Sequence, residues 1–337
     1  MVFDTMSDMP GPSGPASERN EAMNQTAPSQ SRYPFHVFAN GWFRVAFSDD
    51  LQPGELKPLR YFGKELVLFR LEGGSAHLFD AHCPHMGAHL GYGAVVTGEA
   101  LRCPFHHWEF DGAGKCSKIP YAKRIPPKAE IGTYPLVEKN GGILMWHDRD
   151  GRAPSFEVPE IREIGDPAWS RPEIAHWELR ANWLDMNENC VDQAHFKFVH
   201  GTLSIPPTEA TVEGHIHRTE SQFRMRIPGG EGDATLVTTD HGPGFQIVRI
   251  SGLIDTILMN TATPIDEERT DVRFCYTVKT EGETRKTHLA EAVIKDLKQQ
   301  FENDIDIWEN KAYFEKPVLC EGDGPLPHYR KWYSQFV

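Results

Sequence analysis

Two short clusters, Cys83-Pro84-His85 and Cys103-Pro104-Phe105-His106, each couple one thiol to one imidazole, and seventeen residues separate them. Mixed sulfur and nitrogen donors at this spacing hold metal. Zinc motifs usually gather two cysteines in one pair and two histidines in the other. Here each pair is Cys then His, the ligand set of a Rieske [2Fe-2S] centre. Two cysteines hold one iron, two histidines hold the other, and the neutral imidazoles raise the reduction potential above that of an all-cysteine cluster. The expected chemistry is one-electron transfer, with Cys83, His85, Cys103 and His106 as ligands. His82, His89 and His107 stand off this spacing and are read as loop residues.

A second group follows in Glu188-Asn189-Cys190-Val191-Asp192-Gln193-Ala194-His195 and runs on to His200-Gly201. Two close histidines in a largely apolar segment suggest a mononuclear metal. On an ideal helix they point about 140° apart, so both reach one ion only if the helix widens or ends between them, and Gly201 is a plausible stop. Oxygen-activating ferrous iron takes two histidines and one carboxylate on one side. A C-terminal helix expected over 283–314 offers Asp296, Glu302, Asp304, Asp306 and Glu309. Measured against its apolar stripe of Ile294, Leu297, Phe301, Ile305 and Trp308, Asp304 lies at the edge, and it is the expected third ligand with Glu302 next. Asp192, one turn before His195, is expected to hold that ring and link it to an electron donor.

The elements that position these groups divide the chain in three. Residues 1–32 are rich in Pro, Ser, Gly, Asn and Met and are expected to be a disordered tail. Residues 33–154 alternate short β-type runs (65–71, 76–81, 100–105) with turns, among them a hairpin at 140–142, and predict a small all-β domain carrying metal on two loops. Residues 155–337 combine a helix over 182–200, long β-type runs (223–227, 244–250, 270–280) and the C-terminal helix. They predict an antiparallel sheet packed on helices, so the fold class is α+β. A net charge of −13 argues against nucleic acid or an anionic membrane as partner. No apolar run reaches the length of a membrane span. Six cysteines without a paired framework point to reducing cytoplasm.

Together and in this order, the two metal motifs resemble the oxygenase component of the Rieske non-haem iron oxygenases. The likeness spans about 34–337 and is strongest to the 3-ketosteroid 9α-hydroxylase oxygenases and the related cholesterol desaturases. It is carried by Ala81-His82-Cys83-Pro84-His85-Met86-Gly87-Ala88-His89-Leu90-Gly91, Ile119-Pro120-Tyr121, Trp146-His147-Asp148-Arg149-Asp150-Gly151, Ala194-His195-Phe196 with Val199-His200-Gly201, Phe301-Glu302-Asn303-Asp304 and Asp323-Gly324-Pro325. The resemblance implies a helix-grip catalytic domain and a head-to-tail homotrimer. In it, Asp192 bridges His195 to the cluster ligand His106 of the neighbour. It also implies a reductase or ferredoxin reductase as partner, with NAD(P)H acting only through it, and O2 as co-substrate. His107 departs from the family, which commonly has glycine there.

The function expected is a monooxygenase: reductase electrons pass through the cluster to ferrous iron, O2 is activated, and an apolar, steroid-like substrate is hydroxylated. Aromatic-ring hydroxylation and O- or N-demethylation are alternatives within the class. A Rieske electron carrier and a zinc-stabilised lipid-binding module are alternatives outside it, though a carrier needs no second ligand set. Phe223, Met225, Phe245, Ile247, Val248, Leu258 and Met259 fit an apolar pocket or an ordinary core.

Overall fold

The computed structural model describes Arg32, Tyr33, 38–227 and 230–337, without the side chains at 225–227, 284 and 285. The tail expected over 1–32 therefore lies outside the described residues, Arg32 apart, as does the Met225 side chain. From Tyr33 to Val337 the chain is one compact unit.

Ten strands come first: β1 (Gly41–Phe47), β2 (Leu56–Tyr61), β3 (Lys64–Arg70), β4 (Ala76–Asp80), β5 (Val95–Thr97), β6 (Ala100–Arg102), β7 (Glu109–Asp111), β8 (Cys116–Lys118), β9 (Leu136–Lys139) and β10 (Gly142–His147). They form three small sheets, ordered β1-β10-β9, β2-β3-β4 and β5-β6-β7-β8. The expected hairpin between β9 and β10 turns on Asn140 (φ 55°) and Gly141 (φ 76°), the two left-handed positions a tight turn of matching twist requires. Strand β1 is buried along its whole length. Its register shifts between Arg44 and Ala46, so a bulge at Val45 brings Phe47 to the side of Trp42.

The remaining strands, β11 (Glu173–Leu179), β12 (Thr208–Glu213), β13 (Ile216–Ile227), β14 (Gly230–His241), β15 (Phe245–Ser251), β16 (Thr256–Pro264) and β17 (Thr270–Val278), make one antiparallel sheet. Its order is β11-β17-β16-β15-β14-β13-β12. The expected helix over 182–200 is instead α1 (Trp183–Asn187), a 3-10 turn (Glu188–Cys190) and α2 (Ala194–Phe198). The C-terminal helix is α3 (Thr284–Asn310), and α4 (Leu326–Tyr333) closes the chain. The stripe read from the sequence is the face α3 presents to the sheet. Ile294 and Trp308 are buried there with Leu258, Phe274 and Tyr276, while Leu297, Phe301 and Ile305 pack alongside.

The sheet is covered on both sides. Val248 and Leu258 face α3, whereas Ile247, Phe245 and Met259 face Trp42 and Trp146 of the N-terminal strands. Five of the residues grouped as one pocket thus belong to opposite faces, because side chains alternate along a strand. A third cluster joins Phe43, Leu66 and Met145 to Leu184, Tyr329 and Trp332. The N-terminal and C-terminal parts share core rather than meeting across a linker.

Candidate metal centres

The first site stands on two loops that fold alike. After β4, Cys83 N donates to the Ala88 carbonyl (2.9 Å) and Gly87 N to the Cys83 carbonyl (2.9 Å). After β6, Cys103 N donates to the Trp108 carbonyl (2.8 Å) and His107 N to the Cys103 carbonyl (3.2 Å). The fifth residue of each turn takes a left-handed conformation, Gly87 at φ 75° and His107 at φ 57°. His107 therefore stands where backbone geometry favours glycine, at a cost of roughly 1 kcal/mol. Its side chain is exposed.

The two turns bring four donors together. Cys83 and Cys103 are buried in one apolar cluster, and the rings of His85 and His106 lie 4.6 Å apart. Burial pushes the Cys83 thiol up to about 11, and the adjacent Cys103 adds to the effect. Two thiols so placed lose their protons readily only to a cation, so the donor set fits a metal cluster. Trp108 stacks on His85 (4.5 Å, 10° between planes) and donates its indole N–H to the Tyr121 hydroxyl at 2.8 Å. His82 and His89 pair with each other across an isolated bridge, with rings 5.1 Å apart.

The second site begins at Asn182, whose side chain caps α1 by accepting from Leu184 N (2.9 Å). The helix then tightens into the 3-10 turn and restarts at Ala194. Between the two histidines it both widens and ends: Val199 N and His200 N each donate to the His195 carbonyl (2.8 and 3.4 Å), and Gly201 follows at φ 72°. That break turns His200 toward His195, with ring centroids 4.9 Å apart.

From α3, Asp304 meets them, its Oδ2 lying 3.3 Å from His200 Nε2. One potential ligand atom from each of His195, His200 and Asp304 lies within 4.8 Å of the others. Asp304 is 5% exposed. The other acids considered point elsewhere: Asp296 accepts from Gln300, Glu302 from the Trp177 indole, Glu309 from Arg180 N, and Asp306 is exposed.

Polarity around the triad fits a cation. His195 Nδ1 lies 2.6 Å from the Asp192 carbonyl, which fixes Nδ1–H as donor and leaves Nε2 a free lone pair. Burial and then the neighbouring His200 lower the His195 pKa, against the pull of Asp192 and Asp304, so the ring favours the neutral form a metal needs. His200 Nδ1 is buried without a hydrogen-bond partner.

Asp192 differs from expectation in one respect. Its backbone carbonyl, not its carboxylate, holds the His195 ring. The carboxylate caps α2 by accepting from Ala194 N (3.0 Å) and His195 N (3.3 Å), and its Oδ2 is 3.9 Å from His195 Nδ1. The side chain is 47% exposed, so it can face a second molecule.

The buried groups around Asp240 and Glu188 carry no local sequence signal. Asp240 accepts from Asn187 Nδ2 (3.0 Å), Gln246 Nε2 (2.8 Å) and His217 Nδ1 (3.0 Å), all buried. Asn187 also donates to the Tyr329 hydroxyl at 2.7 Å, tying α1 to α4. Glu188 takes two hydrogen bonds from Arg330 (2.7 and 3.1 Å). No local pattern announces such partners, since each pair is separated by up to 142 positions. The Asp323-Gly324-Pro325 motif gains a reason as well. A Cβ on Gly324 would lie 1.7 Å from the Val191 carbonyl oxygen, so only glycine lets this segment pack against the backbone leading to Asp192.

A cluster domain of small β-sheets followed by an antiparallel sheet gripping a long helix, each bearing a metal-binding donor set, defines a Rieske-type oxygenase. Residues 41–135 match the Rieske [2Fe-2S] domain and residues 145–337 the 3-ketosteroid 9alpha-hydroxylase C-terminal domain. The chain belongs to that family. A probable 3-ketosteroid-9-alpha-monooxygenase oxygenase component of Rhodococcus rhodochrous is 33% identical over 90% of this chain and 81% of its own length. A cholesterol 7-desaturase of Xenopus laevis is 30% identical over 89% and 72%. In fold the chain is similar to dicamba monooxygenase bound to dicamba, with a TM-score of 0.71 and 20% identity over 88% of this chain and 97% of that one. The chain is thus the oxygenase component of a multicomponent system. It works with a Rieske cluster, mononuclear iron and O2, and takes electrons from a reductase. Among the described residues no helix is long and apolar enough to cross a membrane.

Proposed function

We propose that this chain hydroxylates a steroid-like substrate, with the cluster on Cys83, His85, Cys103 and His106 and the iron on His195, His200 and Asp304. The observation that carries the reading is the convergence of those last three side chains from α2, the turn after it, and α3. When bound, the iron supplies reductive activation of O2 and the cluster supplies single electrons. The residues do the rest. His195 is held in one tautomer by the Asp192 carbonyl, and Asp304 offsets the cation's charge from a buried position. The steroid-like substrate is read from the relatives, a probable 3-ketosteroid-9-alpha-monooxygenase oxygenase component and a cholesterol 7-desaturase, while Val248, Leu258, Phe301 and Trp308 belong to the packed core between the sheet and α3.

We assign residues 33–154 to the cluster domain and 155–337 to the catalytic domain. A head-to-tail homotrimer in the cytoplasm is part of the proposal, with Asp192 of one subunit facing His106 of the next. Exposed apolar side chains at both ends support it: Met86 and Phe105 beside the cluster, and Phe198, Phe314 and Leu319 around the Asp192 side. All six cysteines are free, which suits a reducing compartment. The test is Asp304→Ala, which should lose mononuclear iron and turnover of 3-ketosteroids and sterols while the red-brown cluster remains. Product mass on the wild type separates hydroxylation (one added oxygen) from desaturation or demethylation. Full activity in Asp304→Ala would refute the ligand assignment.

A further inference from the structure

The segment Ile119-Pro120-Tyr121-Ala122-Lys123-Arg124-Ile125-Pro126-Pro127-Lys128 has no part in holding either metal, yet it is tied to the cluster. Tyr121 accepts the Trp108 indole N–H at 2.8 Å, Trp108 lies flat on the cluster ligand His85, and the Tyr121 ring meets the edge of His106 at 6.4 Å. At its far end the segment is pinned where Cys116 N donates to the Ala129 carbonyl (2.9 Å). Between these anchors every residue from 121 to 128 is exposed, Tyr121 by 62% and Ile125 by 42%.

Charge sets this stretch apart. The chain carries −13 overall, but the segment holds Lys123, Arg124 and Lys128 and no acid. No ion pair among the described residues joins those three to an acid of the same chain. Three unneutralised cations around exposed Tyr121 and Ile125, beside a redox centre, have the character of a docking surface. An apolar centre lies within a charged rim, and the field steers a partner of opposite sign while the rest of the protein repels it.

We propose that residues 121–128 dock the acidic face of the electron-donating protein, with Tyr121 at the point of closest approach to the cluster histidines. The step is a transfer of one electron. The donor's reduced centre is oxidised by one, the Rieske cluster is reduced by one, and no bond or proton changes place. The proposal rests on the cluster assignment above and adds the route by which electrons enter.

The test uses the full chain with its cluster and, as probe, a small acidic plant-type [2Fe-2S] ferredoxin. Affinity is measured by calorimetry, and cluster reduction by stopped-flow absorbance. Between about 0.01 M and about 1 M salt, where the screening length falls from roughly 30 to 3 Å, wild-type affinity should drop more than tenfold. Charge reversal at all three positions (K123E, R124E, K128E) should weaken binding at low salt at least tenfold and slow reduction in proportion. The cluster absorbance should be unchanged. K123Q, R124Q and K128Q together should fall between. Tyr121→Phe should broaden the electron paramagnetic signal of the reduced cluster, because Trp108 loses the acceptor that holds it on His85. Salt-independent binding, no binding by the wild type, or a charge-reversed protein within twofold of wild type would overturn the proposal. So would charge reversal that lowers the mass of the assembly in sedimentation, since the segment would then lie between copies of the chain. A colourless wild-type protein would instead strike the cluster assignment itself.

Discussion

Replacing Asp271 by alanine should destabilise the fold by about 3–5 kcal/mol. Arg44 of β1 is fully buried, and its guanidinium meets the Asp271 carboxylate on β17 at 3.0 Å. The same carboxylate accepts from the Tyr61 hydroxyl (2.6 Å) and lies 3.2 Å from His176 Nε2 and 3.4 Å from Arg273 Nε. This is a polar lock between the cluster-bearing strands and the catalytic sheet. A lone cation buried by loss of its partner costs about 3–5 kcal/mol, a large share of the 5–15 kcal/mol typical of a folded protein. At about 2 °C per kcal/mol for a unit of this size, the midpoint should fall by roughly 6–10 °C.

The acid limb gives a second handle. Burial works to raise the Asp271 pKa, but Arg44, the Tyr61 hydroxyl and Arg273 together hold it below the usual carboxylate value. A depressed folded pKa means the stabilisation is complete above the unfolded pKa, near 4, and is lost as pH falls through the folded value. Wild type and Asp271→Ala should therefore differ fully at neutral pH and converge only below about pH 4. Urea titrations followed by tryptophan fluorescence at several pH values measure both. A loss under 1 kcal/mol at pH 7, or a gap that persists unchanged to pH 2, would show that Asp271 does not stabilise the fold through its buried partners. Arg44→Met combined with Asp271→Leu should recover much of the loss, since apolar pairs often replace buried ion pairs without penalty.

Three further outcomes are expected. Asp192→Asn should keep both metals, because the carbonyl that holds His195 is untouched and an asparagine still caps α2. Electron transfer from cluster to iron should slow by on the order of 10–100-fold, read by single-turnover absorbance of the pre-reduced enzyme; unchanged cluster reoxidation would count against the bridge. His107→Gly should relieve the left-handed strain at φ 57° and stabilise the cluster loop by about 1 kcal/mol, seen as slower thermal bleaching of the visible absorbance. Faster bleaching would show that the imidazole supports the loop. Gly324→Ala should push the 323–325 segment off the Val191 carbonyl and lower turnover without bleaching the cluster. A crystal structure of that variant with the segment in place would contradict this.

Both clusters of donor side chains were legible in the chain because their spacing is local. Cys83 and His85, Cys103 and His106, and His195 and His200 each lie within a few residues, where one turn dictates which side chains can meet. The turn residues were equally readable: Asn140-Gly141 predicted a hairpin and Gly201 a helix stop, since only certain residues tolerate those backbone angles. Asp304 came from the helical wheel, a periodicity the sequence carries by itself. Tertiary structure decided what periodicity cannot express. It split the helix over 182–200 into α1, a 3-10 turn and α2, and it ended α2 before His200, which turns that histidine toward His195. It sent Ile247 and Val248 to opposite faces of a sheet covered on both sides, where neighbouring apolar residues look alike in sequence. It also gave the ring of His195 to a backbone carbonyl, an acceptor every residue possesses and no sequence distinguishes. The buried partnerships of Arg44 with Asp271 and Asn187 with Asp240 join positions 227 and 53 residues apart. Such pairs exist only because folding removes water from both members at once, and that event leaves no local mark on the chain.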